Sequence, residues 1–229
     1  MRDRAMMRLG GLSYLLAASA FSAVFGYLAL YFDYPAILEG SAAEVLPRLR
    51  QGGETMRAVW GVYAMLPMLL VPAIAGSWAA CPSSGGRMRV AFALACIAAL
   101  AMTLGLMRWP SVHWVLAQAW VGGGVTSRVV LAAQFEGLNV YLGNYVGEFL
   151  GETTLAASFA LCARSYLVES TLPRWLGWSG LAFAALFLLG AFRNVSELVQ
   201  PVADLNNALL PLWLVASGIA LLRGSRRDD

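Results

Sequence analysis

The chain contains no lysine, and all 16 of its basic residues are arginine. That absence excludes any cofactor held as a lysine Schiff base, retinal and pyridoxal phosphate among them. Histidine is almost absent too. The single one, His113 in RWPSVHW, cannot supply bis-histidine haem ligation or a histidine-rich zinc site. The three cysteines, Cys81, Cys96 and Cys162, show no CxxC or other metal-ligand spacing and suit free thiols in a reducing compartment. GxSxG, HExxH and P-loop motifs are missing, as is a dinucleotide-binding GxGxxG in its strand–turn–helix setting. No metal, no cofactor and no nucleic-acid partner is expected. Charge is scarce as well. Only 13% of the 229 residues are charged, about half the share in a soluble domain.

What the chain has is apolar length. Hydrophobic residues make up 59% of it and the mean hydropathy is +0.66. They fall in blocks long enough for a hydrocarbon core of about 30 Å. The blocks predict an all-α bundle of six transmembrane helices at about 9–32, 58–80, 90–107, 140–165, 174–192 and 205–223, forming one domain over 1–229. The first block follows Arg2, Arg4 and Arg8 and reads either as a signal peptide or as an uncleaved span. Its apolar run continues well past the small residues at 17–23, which favours the span. Six spans put both termini on one side. That side carries ten arginines and the loops opposite carry six, so both termini are expected in the cytoplasm. Abundant alanine, glycine and arginine, with little isoleucine or asparagine, reads as codon bias in a GC-rich bacterium. The expected location is therefore the bacterial cytoplasmic (inner) membrane, with the lipid bilayer as the first partner.

Two outer segments, 34–57 and 125–139, are long enough to have structure and are expected to lie along the interface. In the first, Ser41 followed by Glu44 has the spacing of a capping box. Trp109, Trp114 and Trp120 suit the headgroup level, where an aromatic ring is half wet. Pro67 and Pro72 predict a kink in the second span.

The fourth span holds the chemistry, in YLGNYVGEFLGE at 141–152. Gly143, Gly147 and Gly151 fall four apart and form a flat ridge for close helix packing, within the chain or against a second copy or partner helix. Asn144, Glu148 and Glu152 run beside them at the same spacing. At 1.5 Å per residue from Tyr141, Glu148 would lie roughly 10 Å deep and Glu152 roughly 16 Å deep. Acidic groups at such depth face a polar interior. Two carboxylates a turn apart are not both expected to be ionised there unless a cation or an arginine sits between them. Asp33, Arg57, Arg108, His113 and Arg193, with Glu197 and Asp204, fall at outer span ends and are candidates to line a vestibule leading to the pair.

FDYPAIL at 32–38, RWP at 108–110, YLGNYVGEFLG at 141–151 and PRWLGWSG at 173–180 resemble a family of bacterial multi-pass membrane proteins known as domain of unknown function 4386. The resemblance implies a six-span helical fold and points to Glu148 as the family-type acid. Many relatives carry a histidine directly after that glutamate, where this chain has Phe149. The resemblance brings no reaction with it. Three functional readings therefore stay open. The leading one is small-molecule or ion binding and translocation through an outward-facing polar cleft around the two glutamates. The others are a membrane-embedded enzyme acting on a lipid-like substrate and a non-catalytic partner or sensory protein.

Overall fold

The computed structural model describes residues 3–169 and 172–226, and among them there are helices and no strands. Arg2, Arg227, Asp228 and Asp229, which enter the charge balance of the two sides, lie outside the described residues. The first helix, α1 (Arg4–Phe32), starts where the Asp3 carboxylate accepts the Met6 N–H at 3.0 Å. It stops at Asp33, whose left-handed φ of 61° ends the helical run, a conformation that aspartate adopts more readily than most residues. Two short helices follow, α2 (Ala42–Gln51) and α3 (Gly53–Met65). Pro67 opens a 3-10 turn, Leu66–Leu69, that separates α3 from α4 (Leu70–Ala79) and makes the expected break in this span. Next come α5 (Gly85–Met107), α6 (Trp114–Gly122) and α7 (Val125–Leu138), then α8 (Gly151–Tyr166), α9 (Arg174–Gly190) and α10 (Gln200–Gly224).

Small residues let the long helices approach closely and show that they alternate in direction. Gly10 in α1 lies against Gly76 near the end of α4, and Gly11 lies against Gly218 near the end of α10. A Cβ on Gly10 would sit 2.5 Å from the Gly76 Cα, so this crossing has no room for a side chain. The start of α5 meets the middle of α8, where Ser158 Oγ donates to the Ala91 carbonyl at 2.7 Å. Gly177 and Gly180, early in α9, pack on Leu167 and Ala163 at the end of α8. Among the described residues five helical stretches are long and apolar enough to cross a membrane: Arg4–Phe32, Gly53–Ala79, Pro82–Gly122, Arg174–Asn194 and Glu197–Gly224. The expected span at 140–165 is not among these five. It forms a helix, but Glu148, Glu152 and Arg164 interrupt its apolar character.

The bundle buries two apolar clusters. One, at the end where α1 begins, gathers Met7, Tyr14, Phe159 and Trp213. Its polar thread is Tyr166 Oη donating to Ser77 Oγ at 2.7 Å, with Tyr14 Oη 3.1 Å from the same hydroxyl. The other is built by the long segments at the opposite end: Leu46, Leu49, Trp60, Trp109, Trp114 and Phe135 close over Phe32. This differs from an interfacial connector, because α2 spends Val45, Leu46 and Leu49 on a protein core rather than on lipid. The tryptophans differ as well. Trp109, Trp114 and Trp120 are buried instead of half wet. Trp109 stacks on Trp60 with centroids 4.6 Å apart, and the guanidinium groups of Arg50 and Arg57 lie over Trp114. Burying such rings against each other removes more apolar surface from water than a headgroup position does. By contrast α7 buries only Phe135 and leaves Val125, Val129 and Val130 exposed.

Candidate functional site

Two departures from α-helical geometry shape one cavity. Pro110 offers no N–H to the turn before it. The chain there forms a π-helical turn, Trp109–His113, in which the His113 N–H reaches the Arg108 carbonyl five residues back at 2.8 Å. Just before this turn the Gly105 carbonyl accepts from Arg108 Nη1. A longer π-helical segment, Asn139–Leu150, carries Asn144 and Glu148 and leads straight into α8. π-Helical stretches are rare and concentrate at functional sites. Here both border a cavity of about 560 Å³, a size typical of small-molecule sites.

The glycine ridge makes this arrangement possible. A Cβ on Gly147 would lie 2.9 Å from the Gly105 Cα, and one on Gly151 would lie 2.6 Å from Met102 Cγ. At Gly143 the missing Cβ leaves room for the Arg108 guanidinium, whose Nη2 would be 2.5 Å away. The ridge is thus filled by α5 of the same chain, and a second copy or a partner helix has no access to it.

Glu148 and Glu152 face the cavity with an arginine between them. Arg193, in the 3-10 turn Ala191–Asn194 after α9, grips Glu152 with both forks: Nη1 to Oε2 at 2.7 Å and Nη2 to Oε1 at 2.9 Å. Its Nη2 also lies 3.0 Å from Glu148 Oε2. Asn194 Nδ2 donates to that same oxygen at 2.9 Å and to the Asn144 carbonyl at 3.0 Å. The arginine on which the pairing of these two carboxylates is conditional is therefore present. Bidentate pairing of this kind is among the stronger ion-pair geometries.

The second cation of the cavity is Arg108, 5% exposed. Its Nε donates to Asn139 Oδ1 at 3.0 Å, and its guanidinium lies 5.2 Å from the Trp109 ring centroid. Among the described residues it forms no ion pair with any carboxylate. Tyr34 and Tyr63, with hydroxyls 3.4 Å apart, and Trp60 complete the aromatic wall, while Asp204 lies nearer the rim.

The other vestibule candidates lie elsewhere. Asp33 pairs with Arg48 at 3.4 Å on the surface. Arg57 donates to the Pro110 carbonyl at 3.0 Å, away from the cavity. His113 is fully buried between Trp109 and Phe135, and neither ring nitrogen has a partner among the described residues. Glu197 does not line the cavity. Asn194, Tyr34, Tyr63 and Trp60 were not singled out in the sequence. Asn194 adjoins Arg193, which is a usable hint, whereas the aromatic residues carry no local pattern that separates a cavity wall from an ordinary core.

A bundle of long apolar helices enclosing a polar, charged cavity defines a multi-pass helical membrane protein. Residues 9–222 match the family described as a domain of unknown function (DUF4386), and the chain belongs to that family. Neither a curated protein nor a solved structure matches it.

Proposed function

We propose that this protein is a small-molecule or ion binding and translocation unit, working through a polar cleft that opens to the outside of a bacterial cytoplasmic membrane. In this reading the helix Asn139–Tyr166 is the sixth span of a single transmembrane domain, and both termini are cytoplasmic. Support for the span comes from the close crossing of Gly105 and Gly147, which buries the helix in the bundle despite its carboxylates. Support for the orientation comes from the excess of arginine on the terminal side.

The observation that carries the function is the Glu148–Arg193–Glu152 triad facing a cavity of about 560 Å³. Charges this deep in a bundle are costly, and they mark ligand or ion pathways. Both Glu152 oxygens are occupied by Arg193, which makes Glu152 an anchor rather than a general acid or base and favours binding over chemistry on a lipid. The test is native mass spectrometry of the full chain released from mild detergent. A small molecule or ion retained by the wild type and lost on Glu148→Gln supports the reading. A chain that retains nothing, and whose melting temperature no small solute moves, overturns it.

A further inference from the structure

The cavity has two unmet poles. Arg108 uses Nε on Asn139 and Nη1 on the Gly105 carbonyl, both neutral acceptors, and Nη2 has no acceptor among the described residues. Leaving a cation this deeply buried without an anion is expensive. Glu148 is in the opposite condition. Both of its polar contacts, Arg193 Nη2 at 3.0 Å and Asn194 Nδ2 at 2.9 Å, fall on Oε2, and among the described residues Oε1 accepts nothing. The charge count agrees with this division. Glu148 and Glu152 share one arginine, which leaves that group one negative charge in excess, while Arg108 holds one positive charge with no ion-pair partner among the described residues. Glu39 and Asp204 also line the cavity but are exposed to solvent, so the imbalance that matters lies between the two buried groups. Gly143, with no side chain, lets the Arg108 guanidinium lie flat against the helix backbone at the cavity wall.

We infer that the cavity recognises an amphoteric small molecule, with an anionic group, carboxylate or phosphate, on Arg108 Nη2 and an ammonium on Glu148 Oε1. This rests on the cavity being a ligand site and adds the class of ligand. A purely anionic ligand would leave Glu148 Oε1 unmet and bring a second negative charge towards it. A purely cationic one would do the same to Arg108. Only a ligand with both poles satisfies both walls without adding net charge to a low-dielectric space. The aromatic side, Tyr34, Tyr63 and Trp60, suits a short carbon skeleton between the poles.

The experiment measures binding to the purified full chain by thermal shift and native mass spectrometry with defined probes. These are glycine and phosphoethanolamine, which carry both poles, and acetate, inorganic phosphate and ethanolamine, which carry one. A short-chain phosphatidylethanolamine separates a lipid headgroup from a free solute. A shift larger for the lipid than for phosphoethanolamine assigns the headgroup; the reverse assigns the solute. The expected result is that two-pole probes bind roughly ten- to a hundredfold more tightly than single-pole ones, the worth of one charged hydrogen bond. Glu148→Gln, nearly isosteric, should erase the preference for phosphoethanolamine over phosphate while phosphate binding persists. Arg108→Gln should erase the preference for phosphoethanolamine over ethanolamine. Because Arg108 also holds Asn139 and the Gly105 carbonyl, the Glu148→Gln comparison stands alone should Arg108→Gln fail to fold. Single-pole probes binding as tightly as two-pole probes, or a retained ligand of one charge sign only, overturn the inference and leave the binding reading standing. Failure of every probe, with nothing retained from the membrane, overturns both.

Discussion

Gly105 of α5 and Gly147 of the π-helical segment touch backbone to backbone: a Cβ built on Gly105 would lie 2.5 Å from the Gly147 Cα. The contact fixes where the segment bearing Glu148 sits, so packing and site geometry depend on the same two missing side chains. Gly147→Leu must push the helices apart, and overpacking of this kind costs about 1–3 kcal/mol. The variant should melt at a lower temperature in detergent, whereas Leu150→Ile, at a half-exposed position, should melt like the wild type. Equal melting of the two variants would show that the crossing is looser than the structure has it.

The capping box of α2 gives a pH dependence whose sign follows from its hydrogen bonds. The Glu44 carboxylate accepts the Ser41 N–H and the Ser41 hydroxyl, each at 2.9 Å. The backbone bond first, and the hydroxyl second, hold its carboxyl below the ordinary glutamate value of 4.5. A folded value below the unfolded one means the stabilisation is complete above the unfolded value. It is lost as pH falls through the folded one. Hydrogen exchange at the α2 amides should therefore be slower relative to Glu44→Gln at neutral pH, and this advantage should shrink as pH drops below 4.5. An advantage unchanged at acidic pH would remove the cap from the account.

How much of this was legible in the sequence depends on the reach of each contact. Hydropathy marks the apolar helices because the bilayer imposes one length on all of them. The i, i+4 pattern singles out Gly143, Gly147, Glu148 and Glu152 because it is local to one helix, and the π-helical geometry nearly preserves that face. The Arg193–Glu152 pair spans 41 residues, and a single sequence offers no signal that joins them. Trp109 and Trp114 misled for another reason. An amphipathic ring suits a headgroup and a protein core equally well, and only the fold of 34–57 decides between them. The two π-helical stretches have no local signature beyond Pro110.

Orientation follows from charge alone and is open to direct reading. Ten arginines on the terminal side against six opposite predict that reporter fusions after Arg89 and at Asp229 both report the cytoplasm. Fusions near Ser41 and Thr126 should report the outside. A C-terminal fusion that reads as exported would require an odd number of crossings. That would place Asn139–Tyr166, the one long helix too charged to be read as a span from its apolarity, outside the set.

The Arg193–Glu152 pair sets the largest expected loss. Both side chains are mostly buried, 16% and 14% exposed, and the guanidinium pairs with two carboxylates at once. Removing one partner of a buried pair leaves the other charge without compensation and typically costs about 3–5 kcal/mol. Arg193→Gln leaves Glu148 and Glu152 facing each other and should lose the most. Glu152→Gln leaves Arg193 its bond to Glu148 and should lose less. If the pair acts as a unit, the double variant will lose less than the sum of the singles, with a coupling of about 0.5–3 kcal/mol. Urea or thermal unfolding of the four proteins in one detergent measures the cycle. Additive losses would mean that the two residues hold the bundle independently, and the triad would then be two separate contacts rather than one charged centre.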